Sequence, residues 1–141
     1  MITTLGDLTV RHGFEVLEHL EAEAEVPVLK GLQAQGDLFI IPVSREGAEV
    51  YRAGNSGGKV PAQGIAVIEA ANGGHEHRLF AGVPGIAFWT GLGAGQDIGV
   101  LECIEPAYLI HPEHGATGVA PGSYLLRRQR EQADEERLVA D

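Results

Sequence analysis

Glycine constrains the fold of this chain more than any other residue type. It accounts for 20 of the 141 residues, which is about twice the average share of about 7%. Glycine weakens helix interiors and supplies the backbone angles that tight turns require. The surplus therefore predicts short strands joined by many turns, with few long helices.

The remaining composition is that of an ordinary globular protein of one domain. Hydrophobic residues make up 44% of the chain and charged residues 21%, both near the average for soluble proteins. There are 20 acidic and 10 basic residues, so the net charge is −10. Affinity for phosphate is built from Lys and Arg. The acidic balance therefore argues against a general nucleic-acid binder, and equally against binding to an anionic membrane surface.

No targeting or membrane segment is expected. The N-terminus lacks a basic start followed by an apolar core, and no apolar stretch approaches the ~18 residues of a membrane span. The single cysteine, Cys103, excludes an internal disulfide, and its apolar neighbours predict a buried side chain. We expect a cytoplasmic protein, either free or assembled into a particle.

Residues 1–26 predict an N-terminal helical arm. One apolar stripe at helical spacing is formed by Val10, Phe14, Leu17 and Leu20. Asp7 or Thr9 would cap the start of the helix, and Pro27 would end it. Because the stripe needs a surface to cover it, we expect the arm to pack on the rest of the chain or on a neighbouring copy. A homo-oligomer is the expected form of the protein.

Residues 27–141 predict a β domain that ends in a short helical turn over 134–141. Strands are expected in short apolar or alternating runs at 37–43, 65–68, 75–80, 86–90, 98–104, 108–110 and 123–130. Phe88 and Trp89 are adjacent, so they would face opposite sides of their strand. The fold class is predicted to be mainly β, a small antiparallel β-barrel or sandwich with the N-terminal helical arm.

Four of the six histidines fall in two short motifs, Gly74-His75-Glu76-His77 and His111-Pro112-Glu113-His114. In a strand, His75 and His77 point to the same face, and Pro112 places the second motif at a turn. Several imidazoles with a carboxylate suit a divalent transition metal, namely zinc, iron, manganese, nickel or copper. The predicted metal ligands are His75, His77, His111, His114 and Glu113, with Glu76 as an alternative carboxylate.

Two interpretations of function remain open on the sequence alone. In the first, the histidine cluster binds a metal, and a vacant coordination position would make the protein a metalloenzyme. In the second, the histidines hydrogen-bond one another, a carboxylate or their own turns, and the protein is a structural or assembly component without catalytic activity. A basic group at Arg127, Arg128 and Arg130 predicts a charged strand edge that pairs with the acidic residues after it. The alternative is a patch that binds an anion or contacts another subunit.

Several segments carry a resemblance that covers residues 32–141. They are 36–43, 74–78, 111–114, 121–124, 128–131 and 137–141. In order and spacing these segments resemble a family of small bacterial and phage-associated proteins that has no established activity. That resemblance implies a β-rich fold and no particular activity. The assembly interpretation, a homo-oligomer or phage-like particle component, rests instead on the glycine-rich fold, the adjacent Phe88 and Trp89, and the apolar stripe of the N-terminal arm. The pair formed by His75 and His77 also resembles, more weakly, the metal-binding histidine pair of cupins.

Overall fold

The computed structural model describes residues 3–12, 25–68, 76–83, 85–93 and 95–129. Within these residues two helices and eleven strands follow one another along the chain. Their bounds are α1 (Leu5–His12), β1 (Val28–Leu29), β2 (Gln33–Gln35), β3 (Leu38–Val43), α2 (Arg45–Arg52), β4 (Gly57–Lys59), β5 (Ile65–Ile68), β6 (His77–Ala81), β7 (Ala87–Gly91), β8 (Asp97–Cys103), β9 (Ala107–His111), β10 (Gly115–Val119) and β11 (Gly122–Arg128).

The strands form two sheets that pack on each other. One sheet has the order β1-β10-β9-β6-β5, and the other has the order β2-β3-β11-β8-β7-β4. Neighbouring strands are antiparallel except β1 and β10, which are parallel. The shared core draws Leu101 and Tyr124 from the larger sheet and Leu79 and Leu109 from the smaller one. The mainly-β prediction is confirmed, and because no pairing between described strands joins the sheets, the architecture is a sandwich.

The alternation of side chains along β11 matches its two environments. Tyr124 and Leu126 are buried between the sheets, whereas Leu125 lies on the opposite face of its sheet with Val100. That outer face is covered by α2, which packs on it through Ala48. The sequence pattern after Pro27 predicts strands and turns in this region, so α2 is an addition to the predicted fold. Ser44 caps this helix by accepting a hydrogen bond from the Gly47 amide at 2.9 Å.

The adjacent aromatic residues on β7 divide as predicted. Phe88 is 47% exposed on the outer face of the larger sheet, whereas Trp89 packs against the core. The buried position predicted for Cys103 is also confirmed. Burial raises the pKa of the Cys103 thiol, which keeps it protonated near neutral pH and suits a packing role.

The N-terminal helix begins earlier than predicted. The Thr4 amide donates to Asp7 Oδ2 at 3.0 Å, and the Asp7 amide donates to Thr4 Oγ1 at 3.1 Å. This reciprocal pair caps α1, so the cap is Thr4 rather than Asp7 or Thr9. Leu5 and Leu8 are buried against the smaller sheet beside Phe80.

The rest of the predicted apolar stripe, at Phe14, Leu17 and Leu20, lies outside the described residues, as does the helical turn predicted at 134–141. The side chain of Val10 is not among those described. Neither helix in the described ranges has the length and apolar character needed to cross a bilayer.

Candidate functional site

His77 of the first histidine motif meets His111 and His114 of the second motif at one side of the sandwich. His77 is the first residue of β6 and His111 is the last residue of β9. These strands are antiparallel neighbours in which Arg78 pairs with Ile110, so the two histidines lie opposite each other one position further along. Both imidazoles are buried, and their ring centroids are 4.4 Å apart.

The turn between β9 and β10 orients the second motif. His111 Nδ1 accepts the backbone N–H of Glu113 at 3.0 Å and that of His114 at 3.2 Å. A neutral His111 therefore carries its proton on Nε2. Gly115, with a φ of +80°, closes the turn in a conformation that other residues adopt at a cost. The ring of His114, an exposed residue, lies 4.4 Å from that of His111, so the three imidazoles form a series that leads from the core to the surface.

Gln35 on β2 fixes the tautomer of His77. One end of its amide faces acceptors, namely the Leu109 carbonyl at 2.9 Å, the Gly115 carbonyl at 3.2 Å and Thr117 Oγ1 at 3.2 Å. That end is therefore the NH₂ group, and the amide oxygen lies 2.9 Å from His77 Nδ1. It follows that Nδ1 of His77 carries a proton and donates it to Gln35.

Asp37 lies on the other side of the His77 ring. Its Oδ1 atom is 3.6 Å from His77 Nε2, and its Oδ2 atom accepts a hydrogen bond from Arg128 Nε at 2.8 Å. Asp37 is 8% exposed. The buried carboxylate is thus held by a guanidinium of β11 on one side and faces an imidazole nitrogen on the other. Gln35, Asp37, His77 and Arg128 are called the polar clasp below, because they tie the β2–β3 hairpin and β11 to the smaller sheet.

The structure brings together three of the four predicted histidines, His77, His111 and His114. His75 lies outside the described residues. Glu113 is exposed on the β9–β10 turn, and the Glu76 carboxylate accepts a hydrogen bond from Arg78 Nη1 at 3.1 Å. Among the described residues, no three or more His, Cys, Asp or Glu side chains are grouped so that they could hold a metal ion. The metal site stays a prediction.

Sequence reasoning missed three members of the polar clasp. Asp37 carried a usable signal, because a carboxylate at the head of an apolar strand needs a partner when the strand is buried. Gln35 carried none. Arg128 was expected to pair with the acidic residues that follow it, but in the structure it binds Asp37, and Arg127 binds Asp97 at 2.7 Å.

Comparison with known proteins places the chain in a family. The model of a family described as "Domain of unknown function (DUF8820)" matches residues 34–129, a range that includes the whole polar clasp and lies within the resemblance drawn from the sequence. No curated protein and no solved structure matches the chain. Since the family model spans more than half of the sequence, the chain belongs to the DUF8820 family.

Proposed function

We propose that this β-sandwich domain binds a divalent transition metal between His77 and Asp37. The observation that carries the proposal is the 3.6 Å separation of His77 Nε2 and Asp37 Oδ1. With Nδ1 protonated, a neutral His77 turns the lone pair of Nε2 toward a carboxylate oxygen. Two electron-rich atoms that face each other in a buried site repel unless a cation lies between them.

The distance and the surroundings both fit a metal ion. Two ligands bound tetrahedrally at 2.0–2.1 Å from zinc stand about 3.3 Å apart, close to the observed separation. Metal-bound histidines commonly donate their second N–H to an oxygen that fixes the ring, as His77 does to Gln35. Arg128 holds the other carboxylate oxygen and leaves Oδ1 directed at the imidazole.

The remaining ligands are proposed to come from the sequence motifs and from water. His75, His114 and Glu113 are the candidates. His111 would join them only if the β9–β10 turn released its Nδ1 atom, because two backbone N–H groups now hold that atom. An open position filled by water would allow Lewis-acid chemistry, and a filled shell would make the metal structural.

The competing explanation is a second proton on His77, which would take the place of the metal ion as the positive charge between Nε2 and the Asp37 carboxylate. It would make His77 an imidazolium that donates to Asp37, and the polar clasp would then only hold the two sheets together. Metal uptake separates these two explanations, because only the first one requires an ion other than the proton.

We expect a chelator-treated sample purified without a histidine tag to take up about one equivalent of Zn²⁺ or Co²⁺ per chain in calorimetric titration. At a hundredfold excess over Kd, bound metal should stabilise the fold by about 2.7 kcal/mol, measured as a higher melting temperature. His77→Gln and Asp37→Asn should each abolish the uptake, because each removes one of the two central ligands. Asp97→Asn, at a carboxylate that is 37% exposed and outside the site, is the matched control for Asp37→Asn.

Two outcomes would contradict metal binding at this site. One is less than about half an equivalent bound in the wild type, given that a closed single site binds stoichiometrically. The other is uptake that Asp37→Asn leaves unchanged in a sample shown by circular dichroism to be folded.

The alternative, an assembly role, is favoured by a different observation. Strand β1 lies at the edge of the smaller sheet. Large apolar side chains are exposed on it and just after it, namely Val28, Leu29 and Leu32. An exposed edge with apolar side chains is a place where a second chain can add a strand. We propose self-association at this edge, with a homo-oligomer or a particle, phage-like or other, as the assembled form.

Light scattering tests this assembly role. We expect the wild type to have at least twice the mass of one chain, and the double substitution Leu29→Lys with Leu32→Lys to shift it to the monomer, because charge at an edge opposes pairing. Val50→Lys, at an exposed position of α2, is the control and should leave the mass unchanged. A wild type that stays monomeric at high concentration would rule out the assembly role.

A further inference from the structure

A hollow of about 450 Å³ lies on the outer face of the larger sheet. Its apolar wall is formed by Ile86, Phe88 and Ile104, and Arg45 and Ser123 lie at its border. Phe88 is 47% exposed and Ile104 is 74% exposed. A hollow of this volume is within the range of small-molecule sites, and it shares no residue with the polar clasp.

The charged side chains around the hollow differ in whether they form an ion pair. The carboxylate of Glu102, which also borders the hollow, is paired with Arg52 Nε at 2.9 Å. Arg45, in contrast, forms no ion pair with any carboxylate in the described part of the chain. It is also the first residue of α2, where the helix dipole is positive. In a chain of net charge −10, this border therefore presents an available guanidinium beside apolar walls.

We propose that the hollow binds a small amphipathic carboxylate, an aromatic or short aliphatic acid. The apolar body of such a ligand would cover the exposed parts of Phe88 and Ile104. Its carboxylate would accept two parallel hydrogen bonds from the planar guanidinium of Arg45. Such an acid would bury the exposed apolar side chains of the hollow and would place a negative charge beside Arg45. This site stands independently of any metal bound near His77.

Calorimetric titration with matched probes tests the proposal. Phenylacetate carries the ring and the charge, phenylacetamide has the same size without the charge, and acetate has the charge without the ring. We expect phenylacetate to bind about five times more tightly than phenylacetamide or better, as a charge-assisted hydrogen bond should provide. Acetate should not bind measurably. Amide chemical shifts should change at Ile86, Ile104 and Ser123.

Substitutions test which residues cause the preference for phenylacetate over phenylacetamide. Arg45→Gln should make phenylacetate and phenylacetamide bind equally, and Phe88→Ala should weaken both. Lys30→Gln removes the same charge at an exposed position after β1 and should change neither affinity. The proposal is overturned if neither aromatic probe binds at millimolar concentrations, if the two bind equally to the wild type, or if Arg45→Gln leaves the preference intact.

Discussion

Arg128→Gln is expected to lower the free energy of unfolding by about 2–4 kcal/mol, whereas the same substitution at its neighbour Arg127 lowers it by less than about 1 kcal/mol. Each arginine donates from Nε to an aspartate, Arg128 to Asp37 at 2.8 Å and Arg127 to Asp97 at 2.7 Å. The two bonds differ in burial. The side chains of Arg128 and Asp37 are 24% and 8% exposed, and those of Arg127 and Asp97 are 41% and 37% exposed.

The larger effect at Arg128 arises from the Asp37 carboxylate, which stays buried after the substitution. Without the guanidinium, the buried carboxylate of Asp37 loses the hydrogen bond and the opposite charge at its Oδ2 atom, and such a loss is costly in a buried position. Asp97, in contrast, regains water. Urea unfolding followed by circular dichroism measures both values, and added salt should reduce only the Arg127 effect. Equal losses of unfolding free energy for the two variants would contradict the claim that burial makes the Arg128–Asp37 pair costlier to break than the Arg127–Asp97 pair.

Gly99→Ala is expected to cost about 2–3 kcal/mol of stability, which is typical of overpacking. Gly99 on β8 pairs with Gly91 on β7. A Cβ atom at Gly99 would overlap the ring of Trp89 and lie 2.8 Å from the Thr90 carbonyl oxygen. At Gly91 the nearest such atom is Trp89 Nε1, at 3.8 Å. Gly91→Ala is therefore the matched control and should change stability by less than about 0.5 kcal/mol.

Fluorescence provides a second measurement for the same pair of variants. The chain has one tryptophan, so emission reports on Trp89 alone. Gly99→Ala should shift the emission because the ring must move away from the new methyl group, and Gly91→Ala should leave it unchanged. If both variants keep the wild-type emission and stability, the close packing of Trp89 on Gly99 is wrong.

An element can be predicted from the sequence when its own residues show the pattern that causes it. The runs that became β5, β8 and β11 are apolar or alternating by themselves, and a sequence shows this directly. Helix α2 has only eight residues and depends on packing Ala48 against the sheet. Strand β10 is rich in glycine and becomes a strand by pairing with β9 and β1. Because α2 and β10 depend on contacts with residues distant in sequence, their own residues do not reveal them.

The same distinction applies to the candidate site. The histidine motifs are local patterns, and they predicted His77, His111 and His114 as neighbours. Their polar partners come from far along the chain, since Gln35 and His77 are 42 positions apart and Asp37 and Arg128 are 91 positions apart. One sequence contains no information on which distant residue faces which, so the tautomer of His77 and its carboxylate could be found only in the structure.

The pairing of early with late strands has a consequence for folding kinetics. β1 adds to β10 in the smaller sheet, and β11 lies between β3 and β8 in the larger one. Neither sheet is complete until the last described strands have left the ribosome. Contacts so distant in sequence must overcome the entropy of closing long loops, and β-sandwiches with this topology fold on the scale of milliseconds to seconds. During synthesis β1 and the β11-facing edge of β3 therefore stay without their partners until β10 and β11 have been made. Unpaired strand edges of this kind favour association with other chains.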